Sequence, residues 1–327
     1  MMSQKHVVIV SGDKIKHAAA LLRSGKLVAF PTETVYGLGA NALDANAVAR
    51  IFEVKGRPNT SPVIVHIGDW EMVRKVAASW PPAARMLAEK FWPGPLTLVL
   101  PKTPAVPDIV TAGLPTVGVR MPSHPVALAL IKAAQVPVAA PSANRFSQLS
   151  PTTAEHVRQG LGDRVDYILD GGPCEVGIES TVLSLAGEVP VLLRPGGVSR
   201  RQIEDVIGPV ATSQDTPHGS HPAPGMHPRH YSPRTPVILV EAGQVPEKGR
   251  GAYLQIGTAP AHTVGEVITM PNKAEEYAAL LYRVLHDLDA KGYDWIAVEI
   301  PGSGADWEAV LDRLRRASSA GDTNRER

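Results

Sequence analysis

The chain has 327 residues, a length that suits two domains better than one, and 44% of them are hydrophobic, enough for well-filled cores. Its formal net charge of +1 excludes a global basic field that would hold nucleic acid nonspecifically, although a transient RNA contact stays open. The single cysteine, Cys174, excludes a disulfide framework and a multi-cysteine metal site and fits a reducing compartment. Residues 1–10 lack the pattern of a signal peptide, and no apolar run approaches the roughly 20 residues of a membrane span. We therefore expect a cytoplasmic protein with no membrane contact.

Short apolar runs alternate with helical patterns between residues 13 and 207. Several of the predicted strands follow one another without a helix between them, which favours a mixed α/β domain around a twisted sheet. In chain order, the pattern predicts helices at 18–23, 44–55, 81–91, 126–134, 152–159 and from Ser199, and strands at 27–30, 62–67, 96–100, 117–121, 136–140, 165–169, 181–185 and 189–193.

Residues 208–234 have a different composition, rich in Pro, His, Ser and Gly, which predicts a linker. The alternation then restarts, and residues 235–317 predict a small, Rossmann-like α/β domain with a parallel sheet. The polar tail at 318–327 is expected to be disordered. The second domain's predicted strands are 237–240, 252–256, 267–270 and 295–300, and its predicted helices are 275–288 and 307–317.

The first predicted strand runs into Pro31-Thr32-Glu33-Thr34-Val35-Tyr36-Gly37-Leu38-Gly39. An apolar run thus delivers hydroxyls, a carboxylate and two glycines to a loop, an arrangement that often forms a phosphate or amino-acid site. The segment taken alone favours the simpler interpretation, a strand followed by a turn.

Four cations share one sequence context, because Lys55, Arg57, Arg120 and Arg194 each follow or end an element with Gly or Pro nearby. Their convergence on one cleft is what an anionic, phosphate-bearing substrate requires. Alternatives remain for the members taken singly. Lys55 and Arg57, expected on an extended loop around Gly56, also suit a basic helix terminus, and Arg120 also suits a surface salt bridge.

Two further segments carry polar groups at strand ends. Ser142 and Asn144 follow the strand at 136–140, where open α/β sheets usually bind ligands, although a simple Asx or Ser turn explains them too. His66 lies near the end of its strand and is also typical of a satisfied core histidine. A Walker-type loop is absent, and Gly37-Leu38-Gly39 does not complete a dinucleotide fingerprint, so any nucleotide site is of another design.

The cysteine and the linker histidines are weaker candidates for a catalytic or metal-binding role. Cys174 has no base evident in the sequence, which favours a buried structural thiol over a nucleophile. The linker histidines lack carboxylate or cysteine companions, which argues against a metal site, and no metal ligand is assigned. These histidines are His218, His221, His227 and His230.

Taken together, the ordered segments resemble the threonylcarbamoyl-AMP synthase family, the YrdC-type enzymes, densely over residues 13–207. The segment from Pro224 to Pro233 and the second domain resemble the long, two-domain form. One departure is His227-Pro228-Arg229, where the family linker usually carries lysines. The matching motifs are residues 30–39, Lys55-Gly56-Arg57-Pro58, residues 62–67, Trp92-Pro93-Gly94-Pro95-Leu96-Thr97, residues 119–122, Ala140-Pro141-Ser142-Ala143-Asn144, Gly177-Ile178-Glu179-Ser180-Thr181 and Leu193-Arg194-Pro195-Gly196.

The resemblance implies a nucleotidyltransferase reaction. L-threonine, bicarbonate and ATP, with Mg²⁺ bridging its phosphates, give threonylcarbamoyl-AMP and pyrophosphate, and other proteins then transfer the threonylcarbamoyl group to an adenosine of tRNA. Attack of a labile carbamate on the α-phosphate needs positioning, charge neutralisation and exclusion of water rather than a covalent nucleophile.

The resemblance also implies residue roles. Residues around threonine are Thr34, His66, Arg120, Ala140 and Ser180, with Arg120 as the carboxylate partner. Nucleotide contacts are Arg57, Ser61, Thr116, Ser142, Ser150, Arg194 and Tyr231, the last from a linker that acts as a lid over the site. Lys55 and Asn144 complete the family's catalytic KxR and SxN elements with Arg57 and Ser142.

Two non-catalytic alternatives stay open from the sequence alone. The first is a double-stranded-RNA-binding module, against which the near-zero net charge counts. The second is a regulatory or assembly protein whose C-terminal domain is a partner surface. A weak direct contact with tRNA is compatible with either and with the synthase.

Overall fold

The computed structural model describes residues 10–212 and 231–318, which form two α/β domains. Most of the predicted lid, all four linker histidines and nearly all of the predicted disordered tail lie outside the described residues. The helices of the first domain are α1 (Gly12–Arg23), α2 (Ala45–Lys55), α3 (Trp70–Val76), α4 (Pro82–Phe91), α5 (Asp108–Thr111), α6 (Pro125–Ala134), α7 (Ala154–Leu161) and α8 (Arg200–Ile207). Its strands are β1 (Val28–Pro31), β2 (Tyr36–Asn41), β3 (Val65–His66), β4 (Leu96–Pro101), β5 (Thr116–Arg120), β6 (Val138–Ala139), β7 (Tyr167–Ile168), β8 (Thr181–Ser184), β9 (Val191–Arg194) and β10 (Ala211–Thr212).

One mixed sheet organises the first domain. Within the described residues its strand order is β10-β9-β8-β4-β5-β3-β6-β2-β1-β7. Antiparallel pairs such as β1–β2 and β4–β5 alternate with parallel pairs such as β3–β5 and β4–β8. The predicted fold class, a mixed sheet with helices, is therefore confirmed.

Local sequence signals explain where several helices begin. The Asp44 carboxylate accepts hydrogen bonds from the backbone N–H groups of Asn46 and Ala47, as predicted for a cap of α2. Ser199 caps α8 in a reciprocal arrangement with Gln202. These caps fix the residues at which α2 and α8 begin.

Strand β2 was not predicted, because its two glycines indicated a loop. Phe30 of β1 instead pairs with Gly37 across an antiparallel hairpin. A β-carbon at Gly39 would lie 2.7 Å from the Phe30 ring and 2.9 Å from a methyl carbon of Val138. Glycine is therefore required here for close packing within a strand rather than for a turn.

Two further expectations need correction. The strand predicted at 62–67 is only Val65–His66, because Pro62 has no N–H and the Val63 N–H donates to the Val110 carbonyl outside the sheet. Lys55 does not lie on an extended loop. It is the last residue of α2, and Gly56 at φ 60° ends the helix in the left-handed conformation.

The second domain is built on a parallel sheet, as predicted. Its strands are β11 (Val237–Val240), β12 (Gly251–Gln255), β13 (Glu266–Thr269) and β14 (Trp295–Glu299), in the order β11-β14-β12-β13, and its helices are α9 (Ala274–Asp289) and α10 (Glu308–Ser318). None of the helices in the described ranges has the length and apolar character needed to cross a membrane.

The two domains share a hydrophobic core. The buried cluster of the second domain, which includes Tyr277 and Leu281, also contains Val35, Leu149 and Ile178 from the first. Burying apolar surface between domains favours a fixed relative placement. Because Val35 belongs to the β1–β2 connection, this shared core reaches the segment that the sequence analysis singled out.

Candidate active site

An open cavity lies where several strands of the large sheet end. The β1–β2 connection, the end of β5, the segment after β6, the start of β8 and the end of β9 each contribute polar groups. Its lining residues are Thr32, Thr34, Val35, Gly37, Arg57, Ile64, His66, Arg120, Ala140, Pro141, Ser142, Glu179, Ser180, Arg194 and Tyr231.

Arg120 and Glu33 form a buried ion pair at one side of the cavity. The Arg120 Nη2 and Glu33 Oε1 atoms are 2.7 Å apart, and both side chains are more than nine-tenths buried. These two atoms are not aligned as a hydrogen bond and make none elsewhere in the described structure. The Arg120 Nε donates to the Gly94 carbonyl, which fixes the plane of the guanidinium. A buried N–H donor therefore remains to be satisfied at the cavity wall.

His66 lies beside Arg120, because β3 and β5 place these two residues as direct partners. Burial, reinforced by the neighbouring charge of Arg120, lowers the pKa of His66 to about 3. The imidazole is therefore neutral at physiological pH. Its buried Nδ1 has no well-aligned hydrogen-bond partner in the described residues, although backbone groups of Val138 and Ile64 interact with the ring.

Arg57 reaches the cavity from the chain just after α2. Its Nη2 donates to the Pro62 carbonyl at 3.0 Å, and its guanidinium lies 5.9 Å from the centre of the Phe146 ring. Burial, together with the charge of Arg194, lowers the pKa of Arg57 to about 10, so the group remains cationic at neutral pH. Its buried Nε has no partner among the described residues.

Arg194 closes the opposite side and is tied to Ser180. Its Nε and Nη2 donate to the Ser180 carbonyl at 3.2 and 2.9 Å, and Nη2 also donates to the Ser180 hydroxyl at 3.2 Å. That hydroxyl lies 2.8 Å from the hydroxyl of Thr97. The Tyr231 hydroxyl is 3.5 Å from Arg194 Nη1, so a residue near the end of the predicted linker contacts this cation.

The arrangement is suited to an anionic ligand. Three buried guanidiniums, from Arg57, Arg120 and Arg194, meet in one cavity with hydroxyl groups between them. In the described part of the chain Cys174 is not an activated nucleophile, because burial raises the pKa of its thiol far above its usual range. The cavity can hold and orient a charged substrate, exclude water and stabilise developing charge.

Family comparisons divide the chain much as the fold does. A model described as "Telomere recombination" matches residues 20–196, and one described as "Threonylcarbamoyl-AMP synthase, C-terminal domain" matches residues 198–319. The curated threonylcarbamoyl-AMP synthase of Pyrococcus abyssi is 46% identical over 93% of this chain and 94% of its own length. The Bacillus subtilis threonylcarbamoyl-AMP synthase is 44% identical over 93% of each chain. The chain belongs to the threonylcarbamoyl-AMP synthase family.

Solved structures agree with this family assignment. The crystal structure of Pyrococcus abyssi Sua5 complexed with L-threonine matches with a TM-score of 0.88 and 44% identity, over 95% of this chain and 96% of that one. Escherichia coli YciO, at 25% identity and a TM-score of 0.53, covers 60% of this chain. The likeness to another member of the threonylcarbamoyl-AMP synthase family thus extends through both domains.

The structure brings together nine of the residues that the sequence singled out for this family's site. They are Thr34, Arg57, His66, Arg120, Ala140, Ser142, Ser180, Arg194 and Tyr231. Five others do not line the cavity: Lys55, Ser61, Thr116, Asn144 and Ser150.

The five outlying residues occupy different places. Lys55 donates to the carbonyls of Ser142 and Asn144, at 2.6 and 2.5 Å, and so holds the loop after β6. Thr116 starts β5, four residues before Arg120, roughly 13 Å along the strand. Ser150 is buried beside the second domain, where its hydroxyl donates to Glu179 at 2.6 Å.

The sequence analysis assigned no role to two buried carboxylates of the site, Glu33 and Glu179. Glu33 stands between Thr32 and Thr34, and Glu179 precedes Ser180 and Thr181; each carboxylate thus lies beside hydroxyl residues in a buried run, and that context was the available signal. Arg313 of α10, the partner of Glu179, carried no signal of this kind, because it is 134 residues away and is brought to the site by domain docking.

Proposed function

We propose that this protein forms threonylcarbamoyl-AMP and pyrophosphate from L-threonine, bicarbonate and ATP, for threonylcarbamoyl-adenosine modification of tRNA. The observation that carries the proposal is the cavity with three buried guanidiniums in a chain that matches threonylcarbamoyl-AMP synthases along both domains. The enzyme class is therefore nucleotidyltransferase.

The chemistry requires no covalent enzyme intermediate. The threonine amine and bicarbonate give a carbamate with loss of water. A carbamate oxygen then attacks the α-phosphorus of ATP, the bond from that phosphorus to the bridging oxygen breaks, and pyrophosphate leaves. The barrier is lowered by alignment and by cations that offset the charge of the reacting groups in a water-poor cavity.

Threonine lies on the Arg120 side in this proposal. The threonine carboxylate takes the N–H donor that Arg120 leaves unsatisfied beside Glu33. Neutral His66 offers Nδ1 to the threonine hydroxyl or amine, and a neutral ring adds no charge that would repel the amine. The surrounding wall is formed by Thr34, Ala140 and Ser180.

The nucleotide lies on the side of Arg57 and Arg194, whose charges face the phosphates. Ser142 and Tyr231 complete this side, and the linker that precedes Tyr231 acts as a lid. Ser61, Thr116 and Ser150 are assigned to more distant parts of the nucleotide. Lys55 and Asn144 act on the phosphates through the loop that they hold.

Mg²⁺ enters this scheme with ATP as part of the substrate. Among the described residues, no group of three or more His, Cys, Asp or Glu side chains is placed to hold a metal ion. The two buried carboxylates near the cavity, Glu33 and Glu179, are each paired with an arginine. Coordination of the ion is therefore left mainly to phosphate oxygens and water, as is usual for Mg²⁺.

The product is a labile mixed anhydride, so a partner must consume it quickly. We propose that tRNA threonylcarbamoyl-transferase proteins do so in the cytoplasm, with at most a weak direct contact between this chain and tRNA. The comparisons do not favour the alternatives of an RNA-binding module or a non-catalytic assembly protein.

Labelled bicarbonate provides the decisive assay. We expect incorporation of the label into a nucleotide product that depends on ATP and L-threonine and is much smaller with L-serine, which lacks the methyl group of threonine. Salt-dependent RNA binding without threonine-dependent incorporation would instead support the RNA-binding alternative.

A further inference from the structure

Arg313 is the largest fully buried side chain of the described residues, although it belongs to the C-terminal domain. It lies on α10, and its residue is only 1% exposed. A fully buried guanidinium is costly unless carboxylates and carbonyls satisfy it. Its partners therefore indicate what this cation does.

Three of those partners belong to the site rather than to the C-terminal sheet. Arg313 Nε donates to Glu179 Oε2 at 2.6 Å, and Nη2 donates to the Pro195 carbonyl at 3.0 Å. The guanidinium carbon also lies 5.1 Å from the centre of the Tyr231 ring. A further pair with Asp312 stays within α10.

Each of these contacts lies next to a residue of the nucleotide side. Glu179 precedes Ser180, and Pro195 follows Arg194. Tyr231, the third contact, reaches Arg194 Nη1 with its hydroxyl. Arg313 thus contacts the side chain that precedes Ser180, the backbone carbonyl that follows Arg194, and the aromatic ring beside them.

The charge balance around Glu179 depends on the same cation. Glu179 accepts from Ser150, from Tyr282 and from Arg313, and it also feels the charge of Arg194. Without Arg313, Arg194 is the other cation whose charge acts on this buried carboxylate. Glu179 would then draw Arg194 away from the cavity or take up a proton.

We propose that Arg313 is a positioning residue for the nucleotide side of the cavity: it neutralises Glu179 and fixes Pro195 and Tyr231, so that Arg194 keeps its charge directed at the substrate. The inference rests on the proposed function. It gives the C-terminal domain a part in the reaction, because one of its helices completes the electrostatics of a cavity that the first domain forms.

Four variants of the full-length protein test this role, with the KM for ATP, kcat and the melting temperature measured for each. R313M removes the charge at similar length, and R313K keeps a charge without the planar contacts. The double variant E179Q/R313M also removes the carboxylate left unpaired. R158M is the matched control, because Arg158 is half-exposed on α7 and its ion pairs within the described residues are with Glu155 and Asp170 at the surface.

We expect R313M to raise the KM for ATP about tenfold or more, and R158M to stay within about twofold of the wild type. R313K should be intermediate. E179Q/R313M should recover much of the loss, because no unpaired buried carboxylate remains to compete for Arg194. If Arg313 served only to fill space, removing the Glu179 charge as well would not restore the KM for ATP. If R313M is insoluble, the KM for ATP of R313K and of E179Q/R313M tests the role of Arg313 instead.

Two results would overturn the inference. One is a KM for ATP in R313M equal to that in R158M. The other is a loss of activity that follows only the folded fraction, with no recovery in E179Q/R313M. A wild-type protein that makes no threonylcarbamoyl-AMP would instead overturn the proposed function. The activity of the wild type therefore distinguishes failure of the proposed function from failure of the role assigned to Arg313.

Discussion

The buried charges of the site differ in how they are balanced. Arg120 has Glu33, and Arg313 has Glu179, each at ion-pair distance. In the described part of the chain, no carboxylate lies at ion-pair distance from Arg57, whose Nε is also unsatisfied. An unbalanced buried cation lowers stability, and such groups are found where a ligand supplies the missing charge.

The first prediction concerns this residue. Arg57→Met should decrease pyrophosphate release by about a hundredfold or more, because a charge facing the phosphates is lost. The free energy of unfolding should stay level or rise, because a buried cation without a carboxylate is removed. Steady-state kinetics and urea unfolding measure the two effects, with R158M as the control. Full activity in Arg57→Met would contradict the placement of ATP.

At the scale of elements, the sequence predicted most helices and strands but misread glycines. Caps such as Asp44 and Ser199 are local signals, and they were read correctly. Gly37 and Gly39 were assigned to a loop, whereas the requirement for glycine at Gly39 comes from Phe30 and Val138, which reach it through the sheet. Local patterns cannot report such contacts before the fold is known.

The residues of the candidate site were likewise predictable only in part. Motif residues at strand ends, such as Arg120 and Arg194, could be named because strand ends meet at one edge of a sheet. The buried partners Glu179 and Arg313 could not, because the carboxylate and the guanidinium belong to different domains. The sequence thus predicts residues that face a ligand better than it predicts the buried residues that hold them in position.

The second prediction concerns the turn between β9 and α8. A β-carbon at Gly196 would lie 2.3 Å from the Thr181 backbone nitrogen and 2.4 Å from the Glu179 carbonyl oxygen. Neither atom can move aside by side-chain rotation. Gly196→Ala should therefore lower the free energy of unfolding by about 1–3 kcal/mol and, by displacing Ser180, weaken threonine binding.

Gly187→Ala is the matched control, because it lies in the turn between β8 and β9 and a β-carbon there meets nothing within 4 Å. Urea unfolding and calorimetric threonine titration are measured on both variants. If Gly196→Ala and Gly187→Ala had equal stability and equal threonine affinity, the close packing of Gly196 against β8 would not be what positions Ser180.

At the scale of the whole molecule, the two domains meet through titratable groups as well as through apolar ones. His156 of α7 stacks on His286 of α9, with ring centres 3.9 Å apart. Burial, helped by His286 and Arg283, lowers the pKa of His156 to about 3. Burial also lowers the pKa of His286, against the opposing effects of the Ser150 carbonyl and of Asp289 and Asp287. Both rings are therefore neutral in the folded protein at physiological pH.

The third prediction is a dependence of stability on pH that arises at this interface. In the unfolded chain His156 takes up a proton near pH 6.5, whereas in the folded protein it stays neutral down to about pH 3. Between these values the unfolded state binds more protons, so the free energy of unfolding falls as the pH decreases below 6.5.

The variant His156→Phe tests this prediction, because it keeps the ring stack but cannot titrate. Its loss between pH 7.5 and 5.5 should be smaller than that of the wild type by about 1 kcal/mol or less, since solvent screens a partly exposed ring. Urea unfolding at the two pH values measures this difference, with His17→Phe, an exposed histidine of α1, as the control. If His156→Phe lost as much stability as the wild type, the stacked pair would not be the source of the acid sensitivity.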